Sequence, residues 1–143
     1  MRDTARVPDH DSTALVHQAM PLCATLGIRA ERYTAGDVVL SLDWAPALCT
    51  TGGLMHGGAI MALADSAGGA CALLNLPPDA SGTATIESKT NFLGSVRGGT
   101  VTAAATPLHA GRTTIVVETS VRDADGKLVA KVTQTQMVLR ARA

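Results

Sequence analysis

The sequence predicts an α+β fold in which an antiparallel sheet wraps round one central apolar helix. The first observation is that residues 57–74 are almost entirely Gly, Ala, Ile, Met, Leu and Cys, with Asp65 and Ser66 as exceptions. A helix that is apolar on every face has to be covered. The second is that five other segments alternate in polarity or are rich in Thr and Val, as strands are. With one sheet available, we expect that sheet to surround the helix.

The chain of 143 residues is long enough for one domain with a substantial core. We interpret residues 1–35 as an N-terminal helical segment and residues 36–143 as the main body of the same domain. Within the first segment, residues 11–27 predict a short helix that is broken near Pro21. Its N-cap is predicted to be Asp11 or Ser12.

The main body predicts strands joined by short turns. Residues 45–53 indicate a loop, and the Pro-rich stretch at 75–82 ends the apolar helix. An Asp-Gly pair at 125–126 predicts a hairpin turn. An open sheet leaves edges that need cover, so we expect dimerisation by edge pairing. Strands are predicted at residues 37–44, 83–93, 99–108, 112–123 and 128–141.

The composition argues against several classes of partner. Twelve basic residues balance twelve acidic ones, and only three residues are aromatic. A nucleic acid or an anionic membrane would therefore find neither a basic patch nor a stacking platform. Asp65 argues against reading the apolar segment as a membrane span. No secretory signal is visible, and the odd number of cysteines without metal-ligand spacing indicates reduced thiols. We expect a cytoplasmic protein.

Three stretches carry a family resemblance. They read GLMHGGAIMALADSAGG at 53–69, TIESKTNFL at 85–93 and HAGRTTIVVETSVRDADGKLVA at 109–130. Together they resemble the hotdog-fold acyl-CoA thioesterases, and most nearly the phenylacetate-pathway and thioesterase superfamily member 2-like branch. The likeness covers roughly residues 36–139. It implies a sheet wrapped round a central helix, a homodimer or a dimer of dimers, and hydrolysis of acyl-CoA without a metal or cofactor.

The resemblance also implies roles for individual residues. Gly57 is the counterpart of the glycine whose N–H binds the thioester oxygen, and Asp65 that of the nucleophile or general base. Thr85 matches a hydroxyl that helps to place the water. The chain departs from the family pattern at two points. Thr50 stands where the family often has Asn, and Gly94 with Ser95 replaces a common Arg-Pro pair.

The residues support the same chemistry without the resemblance. Thioester hydrolysis needs a carboxylate and donors for the developing oxyanion. Gly57 and Gly58 open the helix with N–H groups at the positive end of its dipole, and His56 before them is an orienting residue. Arg97 and Arg112 lie at predicted turns, where a guanidinium could meet the phosphates of coenzyme A.

The spacing of two of these residues sets a constraint. Gly57 and Asp65 are eight residues apart, which is roughly 12 Å along one helix. They cannot both touch one carbonyl carbon. If they cooperate, the donor comes from one subunit and the carboxylate from another, which places the active site at a two-fold interface.

Several alternatives stay open at this point. Asp65 could be a structural carboxylate, the two glycines could serve only the entry into the helix, and the arginines could be merely solvated. Ser66 lacks the Gly-x-Ser-x-Gly elbow of a nucleophilic serine. A non-catalytic acyl-CoA-binding domain is the main competing function. A third function, that of a hotdog dehydratase, is less favoured, because the arrangement of His56 and Asp65 does not resemble the dehydratase pattern.

Overall fold

A computed structural model describes residues 9–141. Within this range the helices are α1 His10–Ala19, α2 Pro21–Leu26 and α3 Gly57–Leu74. Two short 3-10 turns, Pro46–Leu48 and Thr51–Gly53, lie in the predicted loop. The strands are β1 Arg29–Tyr33, β2 Val38–Asp43, β3 Gly82–Phe92, β4 Thr100–Ala110, β5 Thr114–Arg122 and β6 Leu128–Leu139.

The six strands form one antiparallel sheet in the order β1-β2-β4-β5-β6-β3. The predicted fold class is confirmed, and each of the five predicted strands lies close to its predicted bounds. The hairpin between β5 and β6 also forms as predicted. There the Asp123 carboxylate accepts hydrogen bonds from the backbone N–H groups of Asp125 and Lys127, and Gly126 takes a φ of 81°. That left-handed conformation suits glycine.

The broken N-terminal helix is confirmed, with a correction to its cap. Met20 has non-helical backbone angles, and Pro21 begins α2. Proline suits a first helical turn and disfavours helix in the residue before it. The N-cap of α1 is Asp9, whose carboxylate accepts from the Ser12 N–H at 3.2 Å. An N-cap side chain bonds an N–H two or three residues on, and that donor lies at Ser12, so the cap precedes both predicted residues.

The sequence does not predict β1. Its residues, RAERY, carry three charges in five positions and lack a clear apolar alternation. Tertiary partners stabilise it instead. β1 pairs with β2, and the Arg29 guanidinium bonds both carboxylate oxygens of Asp43 at 2.9 and 3.0 Å. Asp43 also accepts from the Thr100 hydroxyl at 2.7 Å. Arg29 and Thr100 together lower the pKa of the Asp43 carboxyl.

Helix α1 covers the outer edge of β1. The Thr13 hydroxyl accepts from the Ala30 N–H at 2.9 Å, and the Asp9 N–H donates to the Ala30 carbonyl at 2.9 Å. The His17 ring bonds the Ile28 carbonyl at 2.6 Å. Among residues 9–141, no segment pairs with the outer edge of β3. The sheet therefore has one covered edge and one free edge.

Helix α3 packs chiefly on β2, β4 and β5. The predicted sheet wrapped round a central helix is confirmed, and one face of the helix stays outside the sheet in the single chain, where Met61, Asp65 and Leu73 lie exposed at helical spacing. Six strands cover one side of a helix, whereas a closed barrel that encloses side chains needs about eight. By length and composition α3 could cross a membrane, and half of it is buried in this fold. The buried residues of α3 are Ile60, Leu63, Ala64, Ser66, Ala67, Gly68, Ala70, Cys71 and Ala72.

The cover on β1 leads to a stability prediction. Thr13→Val removes the acceptor of the Ala30 N–H and should lower the free energy of unfolding by about 1–2 kcal/mol. Thr25→Val is the matched control, because that exposed hydroxyl bonds only a carbonyl of its own helix. Urea unfolding at one fixed protein concentration measures both variants. Equal midpoints for the two would show that α1 does not hold the β1 edge.

Candidate active site

The start of α3 leaves one backbone donor free. His56 is the N-cap, and its Nδ1 accepts a hydrogen bond from the Gly58 N–H at 2.8 Å. A neutral imidazole that accepts at Nδ1 carries its proton on Nε2. The Gly58 N–H is therefore occupied, whereas the Gly57 N–H donates to no residue among 9–141. Of the two glycine donors that the sequence offers, Gly57 is the one available to a ligand at the positive end of the helix.

Gly57 is also the point where an aromatic ring approaches the helix. A Cβ at position 57 would stand 3.1 Å from Cζ of Phe92, the only phenylalanine of the chain. Phe92 ends β3 and is 50% exposed. Glycine at this position permits that close approach. The ring and the free N–H thus lie at the same end of α3.

Asp65 lies midway along the exposed face of α3. In the single chain its side chain is exposed, and Oδ1 accepts a hydrogen bond from Nε2 of Gln134 at 3.1 Å. Gln134 itself is fully buried on β6. The carboxylate therefore has one oxygen held from inside the fold and an open side toward the exterior. The carboxylate in this apolar segment thus lies on the exposed face of the helix, and the residues buried against the sheet are uncharged.

Thr85 is held in a similar way. Nε2 of Gln136 donates to Thr85 Oγ1 at 2.6 Å, and Gln136 is 1% exposed. The pairing of β3 with β6 shifts register just after Thr85, which leaves Ile86 as a bulge residue. Bulges of this kind re-aim neighbouring side chains. Because the Thr85 hydroxyl accepts from Gln136, its own proton remains available for a water or a carbonyl.

Sequence reasoning missed Gln134 and Gln136. Both lie at inward positions of β6, among buried Val132 and Val138. The sequence offered one signal. In the alternating stretch VTQTQMV, the two glutamines occupy the inward positions at which the strand otherwise carries valine. Buried glutamines need partners, and here the partners are Asp65 and Thr85.

Two cavities flank the exposed face of α3. The first has a volume of about 320 Å³ and lies at the helix start. It is largely apolar and is lined by Leu22, Leu26, Ala47, Leu48, Cys49, His56, Gly58, Ala59 and Ala62. The second, of about 380 Å³, lies toward the helix end and includes Thr85 and Gln136 in its wall. Asp65 lies on the helix between the two groups of lining residues.

The remaining predicted residues lie around the helix start or far from it. Thr50 is exposed at the entry to the 3-10 turn Thr51–Gly53. The Arg97 guanidinium donates to the Gly52 carbonyl at 3.3 Å, which places it beside the same turn. Arg112 follows the other end of β4, roughly 35 Å away at the rise of a strand. The two arginines of one chain therefore cannot hold the same phosphate.

Ser66, Cys23 and Cys71 belong to the packing. The Ser66 hydroxyl donates to the Ala62 carbonyl at 2.7 Å and accepts from the Cys23 thiol at 3.3 Å. Burial raises the pKa of the Cys23 thiol, and it raises that of Cys71 to about 11. Both thiols are neutral near pH 7. Residues 9–141 contain no cluster of three His, Cys, Asp or Glu side chains suited to a metal ion.

Comparison with known proteins identifies the family. Residues 52–130 match the family model of the thioesterase superfamily. The chain is 36% identical over 117 residues to a protein of Saccharolobus solfataricus that is named as an esterase, and the match covers 82% of each chain. It is 32% identical over 110 residues to the 1,4-dihydroxy-2-naphthoyl-CoA hydrolase of Listeria monocytogenes, covering 77% of this chain and 89% of that one.

Solved structures agree with the sequence relatives. A mutant thioesterase from Pseudomonas aeruginosa superposes with a TM-score of 0.84 at 28% identity, covering 96% of this chain and 98% of that one. The resemblance to hotdog thioesterases, their fold and their hydrolase activity is thereby confirmed at the level of the family. The matched segment contains Gly57 and Asp65 and includes four of the six strands in whole or in part, since β1 and β2 precede residue 52. This chain belongs to the thioesterase superfamily.

Proposed function

We propose that this protein hydrolyses the thioester of an acyl-CoA with an apolar aryl or medium-chain acyl group, giving the free acid and coenzyme A. The observation that carries the proposal is the combination on α3 of a free Gly57 N–H and an outward-facing Asp65 carboxylate held by Gln134. An oxyanion donor and a carboxylate are the groups that thioester hydrolysis requires. The reaction uses water and the chain's own groups, and the family resemblance favours no added cofactor.

The mechanism assigns each group a step. The Gly57 N–H hydrogen-bonds the thioester oxygen, and its bond strengthens as negative charge develops there. Asp65 either removes a proton from the attacking water or attacks the carbonyl carbon to form an anhydride that water then cleaves. The thiolate of coenzyme A leaves and takes up a proton. The Thr85 hydroxyl, fixed by Gln136, donates toward the water.

The site is proposed to form between two subunits. Gly57 and Asp65 are separated by roughly two turns of one rigid helix, so one thioester cannot meet both in the same chain. The free edge of β3 and the exposed face of α3 offer a surface for a second copy. Large exposed apolar side chains lie along both elements: Met61, Leu73, Ile86 and Phe92. A homodimer through β3, alone or within a tetramer, covers them.

The apolar cavity at the helix start is proposed to hold the acyl group. His56 and Gly58, which flank the oxyanion donor, line it together with the apolar side chains of α2 and α3. An apolar cavity of roughly 150 Å³ already holds benzene, so about 320 Å³ admits an aryl or medium-chain group. The naphthoyl-CoA named for the Listeria monocytogenes relative is an aryl example. Arg97, near the same end of α3, is the better placed of the two arginines to meet the phosphates of the coenzyme.

Removal of the Asp65 charge tests the chemistry. Asp65→Asn keeps the size of the side chain but removes its basicity, so kcat should fall by roughly 10²–10⁴. Substrate should still bind, because the Gly57 N–H and the cavity are unchanged. Thiol release from a panel of acyl-CoA esters measures the effect. Near-native kcat in the variant would reject the catalytic role, and no thiol release by the native protein would favour an acyl-CoA-binding function.

Mixed subunits test the shared site. Asp65→Asn and Gly57→Val each inactivate a homodimer, but a mixed dimer has one site with both defects and one with neither. Random mixing should therefore restore about a quarter of the native activity, since half the dimers are mixed and each has one intact site. Each variant alone is the control. Verified mixed dimers without recovered activity would contradict a site shared between subunits.

Narrowing of the cavity tests the acyl site. Ala62→Leu adds three carbons to the wall, so kcat/KM for octanoyl- and benzoyl-CoA should fall about tenfold or more while acetyl-CoA is affected less. Ala14→Leu is the control, because Ala14 is exposed on α1 and lines neither cavity. A uniform loss across the panel would place the acyl group elsewhere.

A further inference from the structure

We propose that Gln134 is a positioning residue for Asp65, and that Gly68 is a glycine so that Gln134 can reach it. The proposal rests on the proposed function, because it concerns the carboxylate assigned to the hydrolysis. Gln134 donates from Nε2 to Asp65 Oδ1 at 3.1 Å. It comes from β6, so the contact joins the helix to the sheet across 69 positions of sequence.

The path of the Gln134 side chain depends on the missing side chain at position 68. A Cβ at Gly68 would lie 1.9 Å from Gln134 Oε1 and 2.6 Å from its Cδ. These distances are far below any permitted contact, so an alanine there would displace the amide. Gly69 is the informative neighbour, because a Cβ at that position meets no atom within 4 Å. Position 69 therefore has room for a side chain, whereas position 68 has to be glycine for Gln134 to keep its place.

Only the nitrogen of the buried Gln134 amide has a hydrogen-bond partner among the described residues. Gln134 is 0% exposed, and its Oε1 has no hydrogen-bond partner among residues 9–141. An unpaired buried carbonyl oxygen carries a desolvation cost that an apolar residue would avoid. The opposite amide orientation would aim Oε1 at the carboxylate, and two acceptors repel. A glutamine that contributed only to packing would be poorly chosen here, whereas a donor for Asp65 accounts for both the polarity and the orientation.

The consequence for the reaction is a fixed carboxylate. An aspartate on an exposed helix face rotates freely about its side-chain bonds, and only some rotamers aim an oxygen at the partner's helix start. The Gln134 donor occupies Oδ1 and so selects a rotamer that leaves Oδ2 for the water or the thioester. Positioning of this kind affects the rate of the chemical step more than the binding of substrate.

The test replaces the amide by an apolar chain of similar shape. Gln134→Met should lower kcat about 10- to 100-fold, the range for loss of a hydrogen bond to a charged group, with KM little changed. Thr119→Val is the matched control: it removes another fully buried polar atom without a partner, from the neighbouring strand β5, and should leave kcat unchanged. Urea midpoints for both variants separate a catalytic effect from unfolding.

A double-mutant cycle distinguishes positioning from a structural role. Gly68→Ala should reduce kcat like Gln134→Met, and the two together should cost no more than either alone, because both break one contact. In an Asp65→Asn background Gln134→Met should reduce the residual rate no further. Native kcat in a folded Gln134→Met, or additive losses in the cycle, would overturn the proposal. An active Asp65→Asn would instead overturn the proposed function, so the two failures are distinguishable.

Discussion

The close packing of α3 on the sheet is the constraint on which the rest of the structure depends. Small residues on the buried side of the helix meet small residues on β4, such as Ala103 and Ala105, and this allows the backbones to approach. The same helix presents Asp65 on its other side. The candidate site is therefore built on the back of the core helix, and its geometry inherits the rigidity of the core.

Two of the polar side chains buried in this core reach residues of the candidate site. Gln134 and Gln136 occupy two successive inward positions of β6, and each reaches a group that faces the exterior, Asp65 on α3 and Thr85 on β3. Apolar residues at these positions would pack without the cost of burying an amide. Departures from a uniformly apolar core commonly mark functional sites. Here the two glutamines link β6 to α3 and to β3, the two elements that carry Asp65 and Thr85.

The two edges of the sheet are treated differently. Helix α1 satisfies the backbone groups at the outer side of β1 through Asp9, Thr13 and His17. At the other edge, no segment within residues 9–141 pairs with the outer side of β3, which also contacts α3. In the proposed dimer, this asymmetry directs association to the β3 edge. It also joins assembly to activity in the proposed scheme, because the Gly57 donor and the Asp65 carboxylate of one helix lie too far apart to share a substrate.

The sequence alone determined the elements whose pattern is local. The apolar run at 57–74, the Thr- and Val-rich strands and the Asp-Gly turn each report their structure through neighbouring residues, and the motif from His56 to Asp65 indicated the family and its chemistry. Tertiary structure decided the rest. β1 exists because Asp43 and α1 hold a charged segment in the sheet, and the open face of α3 exists because six strands do not close. Contacts between Gln134 and Asp65, or Gln136 and Thr85, join residues far apart in sequence, so no local periodicity could reveal them.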